Sequence, residues 1–516
     1  MRGLCRLCLC AALTAFPLAA QESGEKPLSA IDWLSDTLDA PRPVVLPPAP
    51  SDIAENALPE DVSVAPLDAE RLDAVGLLSA PATGLPRNLW GASSADDLGR
   101  RLTTIATRDD LLPASRRLLN TLVMAELDPP ATSGTDGRLF LARVDALLEQ
   151  GLLEEADALM ERAGTTTPDV FRRSFDTKLL LGTENEACTR LTSTPGLSPT
   201  LQARVFCLAR GGDWTAAALT LESGEALGLI DAEAATLLAR FLDPDLFEGE
   251  DPPTPPLVPS PLTFRLYEAI GEPLPTSALP LAFAQSDLRS TVGWKARATA
   301  AERLARVGAL SPNRWLGIWS EHLPAASGGI WDRIDALQRF ETALHRGDPQ
   351  AVSSTLLDAW TAMKLSGLQP VFAELFAARL TRLPLSAEAA PIALEVALLS
   401  PTFETIAADT TLPPDTRSAF LIGLALGDVG QTRGADPLTR AIIAGFRGHG
   451  VPVRLSTLVS DKRLGEAILR AVELLEGGAA GDLDELSDAL QFLRAAGLET
   501  TARRAALELL LLERRG

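Results

Sequence analysis

Few residues in this chain have the types and spacing for chemistry. Three histidines, His322, His345 and His449, show no i, i+4 pairing and no cysteine close in sequence, so the pattern of a His/Cys metal site is missing. The glycines of GFRGHG, Gly445 to Gly450, match neither the GxGxxG nor the GxxxxGK phosphate cradle, and the stretch reads as a loop. No GxSxG nucleophile elbow occurs, and the serines have no histidine nearby. Carboxylates are abundant, and a facing pair of the kind used by glycoside hydrolases would have to be assembled by the fold, because the spacing selects none. Charged residues on helices of this kind read as a solvated face. The sequence therefore points to no catalytic residues, no cofactor and no metal.

Three residue sets do have a definite chemistry. Of five cysteines, Cys5, Cys8 and Cys10 fall in the first twenty residues, which leaves Cys188 and Cys207 on consecutive helices joined by the turn Pro195 to Pro199. In an oxidising compartment the pair is expected to form a disulfide, worth about 3 kcal/mol for a loop of this size. The second set is Ile31, Trp33, Leu34 and Leu38 in SAIDWLSDTLD, Ser29 to Asp39, with Ile31, Leu34 and Leu38 on one helical face and Trp33 beside it. So short a helix is marginal alone in water, so it should dock, either on the rest of its own chain or as a linear motif in a partner's groove. Third, Trp294, Trp315, Trp319, Trp331 and Trp360 cluster in the second half. Core packing is the default reading for them, and an aromatic groove for peptide or glycan is the alternative.

The elements that must carry these residues are helical. RLFLARVDALLEQGLLEEADALMERAG, Arg138 to Gly164, holds two amphipathic segments hinged at Gly151. Leu139, Ala142, Val144, Leu147 and Leu148 form the stripe of the first. Leu152, Ala156, Leu159 and Met160 form that of the second. Neither stripe can be buried by one pair, but a stack of pairs can bury it. Gly182 and Gly212 repeat the punctuation after 31 and 30 residues (151 to 182, 182 to 212). Through the run Ala146 to Ala163 the chain resembles tetratricopeptide-type repeats, whose period is about 34 residues, although the family's Trp, Tyr and Pro positions are not in register. The expected fold is all-α, an α-solenoid of helix-turn-helix repeats with an extended N-terminal segment.

In chain order, residues 1–20 read as a signal peptide, with Arg2 and Arg6 before the apolar run Leu7 to Ala15 and cleavage after Ala20. Residues 21–66 form a Pro/Ala-rich linker containing the helix 29–39, and Asp61 to Leu67 alternates like a brief strand. Helical repeats follow at 67–247, opened by Ser94 as a cap with Asp97 three residues on and by Pro113 at a second helix start. The Pro-rich segment 248–261 is a domain linker or a long loop, Leu279 to Ser286 reads as helical, and repeats continue at 262–516.

The net charge of −21 becomes about −23 once Arg2 and Arg6 are removed, a surface that repels nucleic acid and anionic lipid and suits a basic partner. The chain also resembles uncharacterised secreted helical-repeat proteins of alphaproteobacteria, some labelled antifreeze-glycopeptide-like, which implies no activity. Ice binding wants a flat regular Thr/Ala face, and Thr165 to Pro168 is an isolated cluster. The expected function is a non-catalytic scaffold in the periplasm that binds envelope proteins, with no nucleic acid and no membrane insertion after signal cleavage. The alternative is a peptidoglycan-associated accessory factor, similar to the helical superstructure of some lytic transglycosylases. A carboxylate-dependent glycosidase on an all-α toroid is third, and short Gly-punctuated pairs argue against it.

Overall fold

The computed structural model describes residues 71–164, 167–410, 415–430 and 434–512. The signal peptide, the linker, the segment with Ile31, Trp33, Leu34 and Leu38 and the strand expected at 61–67 lie outside the described residues. Those described are helical, with no strand among them and one isolated bridge, Leu78 to Ala125. No described helix is long and apolar enough to cross a membrane.

Local rules account for the helix ends. The Ser94 hydroxyl accepts from the Asp97 N–H at the start of Ala95–Ala106, and Pro113 occupies the first turn of Pro113–Met124. Helices Arg138–Glu149, Leu153–Ala163, Pro168–Leu181, Glu184–Ser193, Leu201–Arg210 and Trp214–Ala226 follow the glycine punctuation. Gly151 shows why the residue type matters: its φ is +74°, and a Cβ there would lie 3.1 Å from Leu281 and 3.2 Å from Leu304.

One local expectation is refined and one corrected. Leu279 to Ser286 is helical in 3₁₀ rather than α form, as Leu281–Leu288, with a shorter 3₁₀ piece, Thr276–Ala278, before it. Pro280 holds the entry extended, and side chains then tie the strap to earlier turns, with Gln285 donating to Gly151 O at 2.8 Å and Ser286 to Leu180 O at 2.9 Å. In GFRGHG, Gly445 to Arg447 finish the helix Pro437–Arg447, so only Gly448 to Gly450 are outside it. Gly445 lets that helix approach its neighbour, since a Cβ would sit 2.9 Å from Leu490 Cβ.

Packing produces two cores. One runs from Val75 to Leu511, and a smaller one gathers Phe171, Phe175, Cys188, Phe206, Leu238 and Tyr267 in a lobe spanning 171–274. Residues on both sides of the Pro-rich segment share that smaller core, and Tyr267 Oη donates to Pro253 O at 2.9 Å. Pro261 is already the first residue of helix Pro261–Ala269, because a proline costs no hydrogen bond at that position.

The chain's path returns on itself, which the repeat pattern did not foretell. Ala95–Ala106 packs on Leu464–Ala479, and Pro113–Met124 packs on Glu499–Leu511. Arg101 Nη1 lies 2.9 Å from both carboxylate oxygens of Glu473, and Arg101 also pairs with Glu466 at 3.5 Å. Helix Pro113–Met124 has Leu112 at its cap position, with no side-chain acceptor of its own. Its first N–H groups find acceptors in the other end of the chain: Glu476 takes Leu112 N–H at 3.1 Å and Glu508 takes Ala114 N–H at 2.7 Å and Arg117. These contacts supply what every helix start requires, acceptors for unpaired N–H groups and negative charge at the positive dipole end.

The organising unit buries charge as well as leucine. Arg143 is fully buried and donates to the carbonyls of Val123 (2.7 Å), Val75 (2.8 Å), Ala125 (2.9 Å) and Asp73 (3.3 Å). Burial pushes this guanidinium down to about 10, against the attraction of Asp73. Asp145, two residues on, pairs with Arg173 at 2.5 and 2.9 Å in the same interior.

Candidate interaction surface

The smaller lobe contains the one disulfide found among the described residues. Cys188 on Glu184–Ser193 and Cys207 on Leu201–Arg210 form a disulfide with 5.0 Å between Cα atoms, and both cysteines are buried. The turn at Pro195–Leu197 folds the two helices back on each other, which brings the pair into reach.

Beyond the disulfide, the next helix has apolar residues on every side. In Trp214–Ala226, Ala217, Leu221 and Gly224 face the core, while Trp214 and Leu219 stand 51% and 63% exposed. A surface helix ordinarily keeps its outward face polar, so a Trp and a Leu standing out beside the exposed Glu222 and Glu225 mark a candidate contact surface. Leu227, Leu229, Leu246, Leu257 and Val258 are also exposed. Of the twelve exposed large hydrophobics among the described residues, seven therefore lie between 214 and 258. Inside this surface, Trp214 packs on Phe241 at 6.4 Å, and Phe241 stacks on Phe206 at 5.6 Å, so the patch is anchored in the lobe's core.

The surroundings are acidic. From Asp213 to Asp251 there are ten carboxylate residues, all exposed, and a single basic one, Arg240. Arg240 is already held by Glu250 at 3.2 Å and lies 4.9 Å over the Phe247 ring. Apolar side chains ringed by uncompensated negative charge fit a partner with an apolar face and a basic rim.

The sequence-derived aromatic cluster divides. Trp315, Trp319 and Trp360 are core residues, with the first two rings tilted against each other at a centroid distance of 4.8 Å. Trp294 and Trp331 are half-buried at 4.9 Å from each other, and His322 meets Trp294 edge-on at 5.2 Å. Trp294 lines a cleft of about 910 Å³ that also contains Glu268, Asp287, Arg289 and Arg303.

In that cleft the charged groups are engaged with one another. Glu268 accepts from Arg289 at 2.7 Å and from Arg265, and Asp287 accepts from the Thr276 hydroxyl. Arg303 donates to the carbonyls of Thr276 (2.7 Å) and Leu279 (3.0 Å). Burial raises the Asp287 carboxyl above its usual range, opposed by the Thr276 bond and by Arg289 and Arg303, and nearby Glu268 adds to the rise. Two carboxylates with unlike environments do share this cleft, but Glu268 is tied by two guanidiniums. No group of three or more His, Cys, Asp or Glu suited to a metal ion occurs among the described residues.

Sequence reasoning missed Trp214, Leu219, Leu227 and Leu246 as surface residues, although WTAAALTL, Trp214 to Leu221, contains no charge on any helical face. Ile31, Trp33, Leu34 and Leu38 lie outside the described residues. No protein-family model matches the chain, and no curated protein or solved structure matches it either.

Proposed function

We propose that this protein is an exported, non-catalytic helical scaffold in the cell envelope, and that it binds a protein partner through the 214–258 face of its disulfide-bonded lobe. The observation that carries the reading is that seven of the twelve exposed large hydrophobics among the described residues, Trp214 among them, fall on that one lobe. Uncompensated acids around it assign the partner a basic rim, which would speed association and make it salt-sensitive. A disulfide in the same lobe suits an oxidising compartment such as the periplasm. The helical-repeat type remains tetratricopeptide-like in this reading, on the strength of the period near 30 residues between Gly151, Gly182 and Gly212.

The cleft beside Trp294 favours a second reading, a peptidoglycan-associated factor, because an aromatic edge next to paired charges is the kind of surface that holds a sugar or a muropeptide. One affinity experiment separates the two. The mature protein and a Leu227→Glu/Leu229→Glu variant are used as bait against the envelope fraction at low and high salt, beside Trp33→Ala/Leu34→Ala. The scaffold reading expects a basic protein that is held at low salt, released at high salt and lost with the leucine variant. Retention of that protein by the leucine variant, or recovery of peptidoglycan alone, contradicts it.

A further inference from the structure

A second site of different character lies in the main body. A cavity of about 270 Å³ opens where the first turns of Pro113–Met124, Pro312–Trp319 and Gln369–Leu380 meet. In this strongly acidic protein its lining holds three arginines, Arg116, Arg117 and Arg306, against one acid, Glu374. Two of the three are occupied. Arg117 is held by Glu508, and Arg306 donates to Ser366 O at 2.6 Å and Glu302 at 3.2 Å. Arg116 is only 7% exposed, and its guanidinium makes no hydrogen bond or ion pair with the described residues. It feels Glu476, Asp109 and Asp110 only as charges at longer range. On the same helix and the same wall, Asn120 Oδ1 is buried without a partner.

A guanidinium has five N–H donors, and leaving it buried and unpaired is costly. The start of Gln369–Leu380, which has no side-chain cap, adds to the demand for negative charge, since a helix carries about half a positive charge at its N-terminus. Apart from Ser311, whose hydroxyl accepts from the Arg314 N–H, the remaining walls are mostly apolar: Leu111, Val307, Leu310 and Val371, with Pro312 and Pro370. We propose that this cavity binds a small organic monocarboxylate, its carboxylate on the Arg116 fork and its short aliphatic body against Leu310 and Val371. Inorganic phosphate fits less well. Its further oxygens would be left against apolar walls, and its second charge would face Glu374. The site is independent of the lobe surface and of the scaffold reading.

The test is calorimetric titration of the full chain with isovalerate, inorganic phosphate and isovaleramide, with melting temperatures read in parallel. Isovalerate is expected to saturate one site with a Kd of about 0.1–1 mM, as its size allows. The neutral amide and phosphate should bind at least about tenfold more weakly. Arg116→Met should abolish isovalerate binding while melting no lower than the ligand-free parent, because the unpaired charge is gone. Asn120→Asp keeps shape and places a carboxylate against the ligand, and should also weaken binding at least about tenfold, which keeps the test valid if the arginine variant does not fold. Absence of saturable isovalerate binding up to about 10 mM overturns the proposal. So does phosphate binding as tight as isovalerate, or isovalerate binding undiminished in either variant.

Discussion

The main body hides its apolar surface by bringing helices 95–124 back against helices 464–511, whereas the lobe around Cys188–Cys207 leaves Trp214, Leu227 and Leu246 in solvent. The body is held by polar contacts that span long stretches of sequence, the half-buried Arg101 to Glu473 and the buried Leu112 to Glu476 and Ala114 to Glu508. The lobe is held by a covalent link between neighbouring helices and a small core of its own. A region that closes on itself has spent its sticky surface, while one stapled locally can keep such surface for another molecule. That division is why we place recognition in the lobe.

The comparison can be broken most severely at Arg143. Arg143→Ala leaves four backbone carbonyls without their donor and opens a void, and should cost the body about 4 kcal/mol in denaturant unfolding. Little change there would mean that the buried guanidinium is not what fastens the chain start to helix Arg138–Glu149. Next in size, Cys188→Ser with Cys207→Ser should cost about 3 kcal/mol and act on the lobe alone. Hydrogen exchange read by segment should then show faster exchange over 184–210 and unchanged protection in 464–511. Equal loss in both would show that the two regions unfold as one.

Glu508→Ala sharpens the body's side of the comparison. It removes the acceptor for Ala114 N–H and the partner of Arg117, and should cost about 2 kcal/mol, with Glu508→Gln recovering about half. The smallest effect is on pH. Burial raises the Glu508 carboxyl above its ordinary value of 4.5, against the pull of Arg117, Ala114 N–H and Arg504, with Glu476 adding to the rise. The folded state thus binds this proton more tightly than the unfolded chain, so its contribution is fully present below pH 4.5 and is lost as pH climbs through the folded value. Denaturation midpoints of the parent measured upward from pH 4.5 should fall relative to Glu508→Gln, and parallel curves would deny that the carboxyl titrates in this way.

What the sequence disclosed follows the range of the forces involved. Helix starts at Ser94 and Pro113, turns at Gly151, Gly182 and Gly212 and the Cys188–Cys207 bridge depend on near neighbours, so type and spacing suffice to find them. The closure was hidden because Arg101 and Glu473 are 372 residues apart, and on their own helices each reads as solvated charge. Arg143 and Asp145 stand in the sequence like any other helix charges, and only the fold shows them inside. For the interaction surface, the charge-free run from Trp214 to Leu221 is legible as a helix, but sequence alone does not say which of its faces has a neighbour.

The lobe's role is tested most directly by hydrogen exchange of the full chain with and without the envelope protein it retains at low salt. The account predicts new protection confined to 214–231 and 243–258, with helices 95–124 and 464–511 unchanged. Protection over those terminal helices with none at 214–258 would contradict it.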